Sequence, residues 1–157
     1  MLRSPGAAVG NRVQSFRGLR VYRSAVELRR RVFSVSQLWP KAERHALTDQ
    51  IRRSSRSVSA NVAEAWSTRR YPRHFVLKLT DAHGEAKETG VWLDTARECG
   101  YLSDEEHASL RDLTRACAGG LAATIHRADQ WAGPLDPTGA VRDPSVRYIV
   151  EPDPDAP

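Results

Sequence analysis

Asp49-Gln50-Ile51-Arg52-Arg53-Ser54-Ser55-Arg56-Ser57-Val58-Ser59-Ala60-Asn61-Val62-Ala63-Glu64-Ala65 is the stretch from which the fold can be read. Wound as an α-helix, at about 100° per residue, it divides into two faces. With Ile51 at zero, Leu47, Val58, Val62 and Ala65 fall within about 40° of it, a stripe made to be buried. Arg52, Arg53 and Arg56 fall between about 100° and 200°, with Asp49 among them. One helix therefore offers a core stripe and a guanidinium stripe together. It is a binding element with no catalytic group built into it.

The same periodicity continues on both sides. Upstream, from about Leu19 to Leu38, Leu19, Tyr22, Val26 and Phe33 share a face. Val21, Ala25, Leu28 and Val32 widen that apolar arc to roughly half the circumference, more than one packed face needs. Trp39-Pro40 closes this helix, because the residue before a proline is pushed out of the α region. Pro40 is expected to start the second helix, which ends near Trp66. After the basic connection Ser67-Thr68-Arg69-Arg70-Tyr71, Pro72 opens a third helix with the stripe Phe75, Leu79, Ala82, Ala86, Thr89/Gly90, Leu93 and Ala96. Leu77, Val91 and Trp92 lie off that stripe and form a second apolar patch. Cys99-Gly100 places glycine where a helix C-terminus favours it. Ser103-Asp104-Glu105-Glu106 reads as a capping box with acids on the positive end of the dipole. The helix it opens has the seam Leu110, Leu113, Cys117, Leu121, Thr124, Ala128 and Trp131. Four helices, each roughly 30–40 Å long and joined by short turns, predict an all-α, up-down-up-down four-helix bundle over residues 16–131.

Composition fits that reading. The chain of 157 residues, 40% hydrophobic and 27% charged, is one domain's worth. Residues 1–15 are expected to form a flexible N-terminal arm without the apolar core of a secretory signal. No apolar run approaches the ~20 residues that span a bilayer, so a cytoplasmic protein without membrane contact is expected. Cys99 and Cys117 lack metal or redox spacing and are expected to stay reduced, Cys117 as a small core residue. Residues 132–157 hold six of the nine prolines and five acids against two arginines. This acidic tail is expected to be disordered, with one apolar cluster, Val146 and Tyr148-Ile149-Val150, able to dock on a partner.

The net charge of +5 conceals an asymmetry: residues 1–80 carry 17 Lys/Arg against 4 Asp/Glu, residues 81–157 carry 7 against 15. The basic half would attract a polyanion, or the acidic half of a neighbouring copy.

Five pieces of the chain, in order, carry a resemblance. They are Phe16-Arg17-x-Leu19-Arg20-Val21-Tyr22 with Ala25 and Glu27-Leu28, Pro40-Lys41-Ala42-Glu43-Arg44 with Leu47, and Gln50-Ile51-Arg52-Arg53-Ser54 with Asn61-Val62-Ala63-Glu64. Gly84-Glu85-x-x-Glu88 and Gly100-Tyr101-Leu102-Ser103 complete the set. From Phe16 to Trp131 the sequence resembles the bacterial four-helix-bundle proteins encoded in 23S rRNA intervening sequences. Their relatives include the accessory variability proteins of diversity-generating retroelements. Many members have proline where this chain has Ala60 and glycine where it has Ala65. The resemblance implies a bundle assembling into a cyclic homo-oligomer, often a pentamer, with a positive surface proposed to bind nucleic acid. In the retroelement branch the partner is a reverse transcriptase.

For nucleic acid, the candidate residues are Arg52, Arg53 and Arg56, joined by Arg30, Arg31, Arg69, Arg70 and Arg73, with Arg29 beside them. Such a stripe can hold phosphates, or it can be a solvated face or an intersubunit ion-pair surface. No helix-turn-helix, zinc-finger or ribonucleoprotein motif is present, so any contact would read charge and shape. Gln50, Asn61 and Glu64 are read as a structural motif, Asn61 and Glu64 flanking the core stripe and bonding to a neighbouring helix or subunit. Leu77, Val91 and Trp92 are the candidate oligomer interface.

Glu85 and Glu88 suggest a di-iron bundle, but no histidine follows a glutamate by three residues, so neither metal nor other cofactor is expected. Ser54, Ser55, Ser57 and Ser59 have no histidine in sequence reach, and no Gly-rich phosphate loop occurs. The leading expectation is a non-enzymatic, homo-oligomeric RNA-binding bundle. The alternative is a protein-interaction scaffold that recruits a nucleic-acid enzyme without itself touching nucleic acid.

Overall fold

A computed structural model describes residues 13–132; residues 1–12 and 133–157, which hold most of the expected arm and nearly all of the expected tail, lie outside the described residues. After a 3-10 turn at Phe16–Gly18 come α1 (Arg20–Ser36), α2 (Asp49–Ser67), α3 (Pro72–Glu98), α4 (Asp104–His126) and a single turn, α5 (Asp129–Ala132). No strand occurs among the described residues. Helix α2 packs against α1 and α3, and α4 packs against α1 and α3, closing a quartet. Successive helices run antiparallel: Arg52 at the start of α2 reaches Ser36 at the end of α1, while Arg29 reaches Ser59 further along.

Two hydrophobic clusters fill the quartet. The lower one joins Val21 and Ala25, Val58, Val62 and Ala65, Phe75, Leu79, Ala82 and Ala86, and Cys117 and Leu121. The upper one joins Leu28 and Val32, Trp39, Leu47 and Ile51, Leu93 and Ala96, and Leu110. Between them on their helices lie Ser54, Ser55, Thr89 and Thr114, all buried. Thr89 donates its hydroxyl to the Glu85 carbonyl (2.9 Å) and keeps lone pairs for Ser54, 2.9 Å away. Thr114 donates to the Leu110 carbonyl (2.7 Å). With these buried hydroxyls satisfied, the layer does not carry the penalty of unmade hydrogen bonds. Of the serines that raised the question of nucleophilic chemistry, Ser54 and Ser55 are thus core residues of α2, Ser59 is buried beside Arg29, and Ser57 is half-buried. Burial also pushes the Cys117 thiol up to about 11, opposed in part by a hydrogen bond with Ser24. It behaves as the inert core residue its spacing suggests.

Helix ends follow their sequence signals in two places. Gly100 takes φ +76, and the Gly100 and Tyr101 amides donate back to the carbonyls of Arg97 and Ala96, the paired closure that favours glycine there. At α4 the capping box forms completely: the Glu106 amide donates to Ser103 Oγ (3.1 Å) and the Ser103 amide to Glu106 Oε2 (2.9 Å).

The start of the second helix differs from expectation. Pro40 is extended (φ −55, ψ 140) and caps a 3-10 turn, Lys41–Glu43. A π-wound turn, Arg44–Thr48, follows before regular α geometry begins at Asp49. Both Leu47 and Thr48 are buried in that wide turn. The α4 seam is also corrected. Thr114 and Ala118 are buried where Leu113 and Thr124 are only half-buried. A strict heptad spacing drifts off a 3.6-residue helix by about 20° per repeat, which moves the neighbouring positions inward. Trp131 is not on α4 at all; it sits on α5, edge-on to Trp66 with ring centroids 6.4 Å apart.

The off-stripe patch of α3 splits. Leu77 and Val91 are 56% and 57% exposed, as an interface would require. Trp92 does not join them: it packs on the upper cluster and donates its indole N–H to Glu88 Oε1 (3.0 Å). An indole beside its own carboxylate, four residues back on the same helix, finds a partner without leaving the protomer.

Candidate nucleic-acid interface

On α1 the buried residues are Val21, Ala25, Leu28, Val32 and Ser36. Tyr22, Arg29, Arg30 and Phe33 recur at helical spacing on the adjoining face, turned toward the outside of the α1–α2 pair. Across from them α2 presents Arg56, Ser59, Ala60 and Ala63, also at helical spacing. Together with Phe16 these residues line an open groove of about 540 Å³. Ala60 and Ala63 lack the bulk to fill it. Phe16 closes its lower end, packed edge-on against Tyr22 with ring centroids 4.9 Å apart.

The guanidinium groups here are held by hydroxyls and rings. Arg52 donates through Nε to Ser36 Oγ (2.7 Å), and its guanidinium carbon lies 4.8 Å from the centroid of Phe33. Arg56 approaches the same ring at 6.0 Å. Arg29 donates to Ser59 Oγ (3.3 Å). Cation–π contact and hydroxyl bonds orient a guanidinium without cancelling its charge. Among the described residues, none of Arg29, Arg30, Arg52 and Arg56 forms an ion pair with a carboxylate. Phe33 itself is 42% exposed. The groove is therefore positive, aromatic and open.

Arg53, one step around the helix, meets a different neighbour. It pairs with Glu88 and with Glu85 (3.4 Å) on α3. The hydrogen bond to Glu88 holds its proton more tightly than usual, opposed by burial and reinforced by the charges of Glu88 and Glu85. Glu85 and Glu88 line a second groove, between α2 and α3, with Asn61, Thr80, Asp81 and Gly84. Glu64 bonds Lys78 of α3 (2.8 Å), which also faces Asp81 (3.7 Å). This face is acidic and largely paired.

The expected arginine site thus divides. Arg30, Arg52 and Arg56 come together on the α1–α2 groove, with Arg29. Arg53 is held on the α2–α3 face. Arg31 turns toward α4, donating to Ser109 Oγ (2.8 Å). Arg69 folds over Trp66, 4.4 Å from its ring, and donates to the Trp66 carbonyl. It stands with the exposed Arg70 and Arg73 at the α2–α3 turn, a separate cationic end. Of the structural motif, Glu64 bonds to Lys78 of α3. Asn61 does not reach a neighbouring helix; its amide donates to the Ser57 carbonyl of its own helix (3.1 Å), four residues back. Gln50 is half-buried in the first turn of α2.

Sequence reasoning missed the aromatic lining. The signal was the apolar arc of α1, too wide for one buried face, in which Tyr22 and Phe33 share a side with Arg29 and Arg30. Elsewhere, Asp94 is flanked by His107 (2.7 Å) and Arg111 (3.3 Å), an ion-pair cluster between α3 and α4. Among the described residues no group of three His, Cys, Asp or Glu is placed to hold a metal ion, and no helix is long and apolar enough to cross a membrane.

The fold has a counterpart among solved structures. A protein of unknown function from the S23 ribosomal protein family of Bacteroides thetaiotaomicron superimposes with a TM-score of 0.63 at 25% identity, over 68% of this chain and 95% of that one. No curated protein matches the chain. The family model of the 23S rRNA-intervening sequence proteins matches residues 17–123, a span that holds the α1–α2 groove apart from Phe16 and both helices of the acidic face. The chain belongs to the 23S rRNA-intervening sequence protein family.

Proposed function

We propose that this protein is a non-enzymatic, RNA-binding bundle that acts as a homo-oligomer. The observation that carries the reading is the α1–α2 groove, where four guanidinium groups without carboxylate partners among the described residues lie within or beside it, two of them against a half-open aromatic ring. Unpaired arginines attract phosphates, and an accessible Phe ring offers a stacking surface to an unpaired base. The family's name, tied to insertions within 23S rRNA, favours structured RNA as the ligand. The groove has no pattern of side chains suited to reading base edges, so affinity would follow charge and shape.

One groove offers few contacts, and affinity would come from repetition. The exposed Leu77 and Val91 on α3 favour self-association through that face. The family resemblance points to a cyclic assembly, with a pentamer as the expected size. A ring would multiply weak phosphate contacts into useful avidity. In such a role the cytoplasmic ring would hold RNA for a second protein, and the resemblance to retroelement accessory proteins suggests a reverse transcriptase.

The test is equilibrium binding of a structured rRNA fragment across a salt series. Charge reversal of Arg30 and Arg56 to glutamate is expected to weaken binding at least about tenfold for every RNA tried, and to flatten the salt dependence. A double variant that binds as tightly as the parent at low salt overturns the reading. The scaffold alternative, favoured by the same exposed Leu77 and Val91, predicts partner capture that survives nuclease treatment.

A further inference from the structure

The described chain ends beside the lower end of α2, where Trp131 meets Trp66. The sequence that follows contains Val146-Arg147-Tyr148-Ile149-Val150 and then Glu151-Pro152-Asp153-Pro154-Asp155, three carboxylates against one arginine. An aromatic and aliphatic block is thus followed by a carboxylate at every second residue. The α1–α2 groove has the complementary make-up: Tyr22, Phe33, Ala60 and Ala63 on its walls, and Arg29, Arg30, Arg52 and Arg56 within or beside it. We propose that residues 146–155 dock in the α1–α2 groove of their own chain and compete there with nucleic acid. The competition rests on the functional reading above; the docking itself does not.

Reach allows it. Arg56 lies ten residues before Trp66 on α2, about 15 Å along the helix axis. Val146 is fourteen residues beyond Ala132, and a chain of that length can reach at most about 48 Å. The tether is therefore long enough to span the distance, and an attached segment that can span it meets its site at a raised effective concentration. Exposed charge pairs are individually weak and salt-sensitive. Tethering lets such a contact persist until a polyanion with more phosphates displaces it. The arginines that would hold RNA would then be covered in its absence, which also limits non-specific binding.

Two measurements on the full chain test this. Photoreactive p-benzoylphenylalanine in place of Tyr148, illuminated without nucleic acid, should crosslink within its own chain to α1 or α2 at the groove. The crosslink should fade at high salt and on addition of RNA. Crosslinks joining two chains, or landing away from the groove, overturn the intrachain docking. In the second measurement, Glu151→Gln, Asp153→Asn and Asp155→Asn together should tighten RNA binding roughly 3- to 10-fold at low salt, the release expected from removing a tethered competitor. The gain should disappear when Arg30 and Arg56 are reversed. An unchanged affinity in the tail variant overturns the competition. Should the parent bind no RNA at any salt, the functional reading falls, and the crosslink pattern alone decides the docking.

Discussion

The α1–α2 and α2–α3 faces draw their arginines from the same two turns of one helix, yet they differ in charge. Arg52 and Arg56 lie on the first face, beside an aromatic ring and serine hydroxyls on α1. Arg53 lies on the second, against Glu85 and Glu88 on α3. Only about 100° of helical rotation separates Arg52 from Arg53. What the neighbouring helix presents therefore decides whether a guanidinium remains available. A hydroxyl or a ring fixes its direction and leaves its charge; a carboxylate pair cancels it.

The largest expected break in this comparison comes from charge reversal on either side. Arg56→Glu should weaken RNA binding by more than about tenfold at low ionic strength, whereas Arg53→Glu should change it by less than about twofold. Equal losses from both, read by fluorescence anisotropy, would show that the two faces are not distinct. Next in size is Phe33→Ala, which removes the stacking surface and the ring under two cations. Base–aromatic stacking is worth about 1–3 kcal/mol, so an affinity loss near tenfold is expected, with little change in thermal stability because the ring is largely outside the core. A loss confined to duplex RNA would argue against stacking.

A smaller effect sharpens the comparison in the opposite direction. Converting Glu85 and Glu88 to glutamine should free Arg53 and bring the α2–α3 face from acidic to neutral. RNA affinity is then expected to rise about twofold, with a slightly steeper salt dependence. No gain in a titration at low salt would mean that this face cannot reach the ligand. The smallest effect belongs to Arg53→Ala. Its partners are partly solvated, so the pair should contribute only about 0.5 kcal/mol to stability, detectable by urea denaturation as a slight fall in midpoint.

The quartet of helices was legible because burial repeats along each one. Ile51, Val58, Val62 and Ala65 return at the spacing of an α-helix, and all four are fully buried. Proline at the start of α3, glycine after it and the Ser103–Glu106 box marked ends whose hydrogen bonds are local, so residues a few positions apart reveal them. The π-wound approach to α2 was not legible. Pro40 permits several geometries, and only packing selects the one that buries both Leu47 and Thr48. Trp92 shows the same limit on α3, since its angle on the helix wheel does not disclose the contact with Glu88 and the upper core.

Sequence by itself determined that four amphipathic helices form, which stripes they bury and that α2 carries arginines opposite its core face. These are consequences of periodicity and local capping, properties of one chain segment at a time. Tertiary structure decided which arginines keep their charge available, because pairing depends on side chains from helices distant in sequence. It also turned the surplus apolar arc of α1 into the wall of a groove. The width of a hydrophobic arc is set within one helix, but what it faces is set only when the second helix arrives.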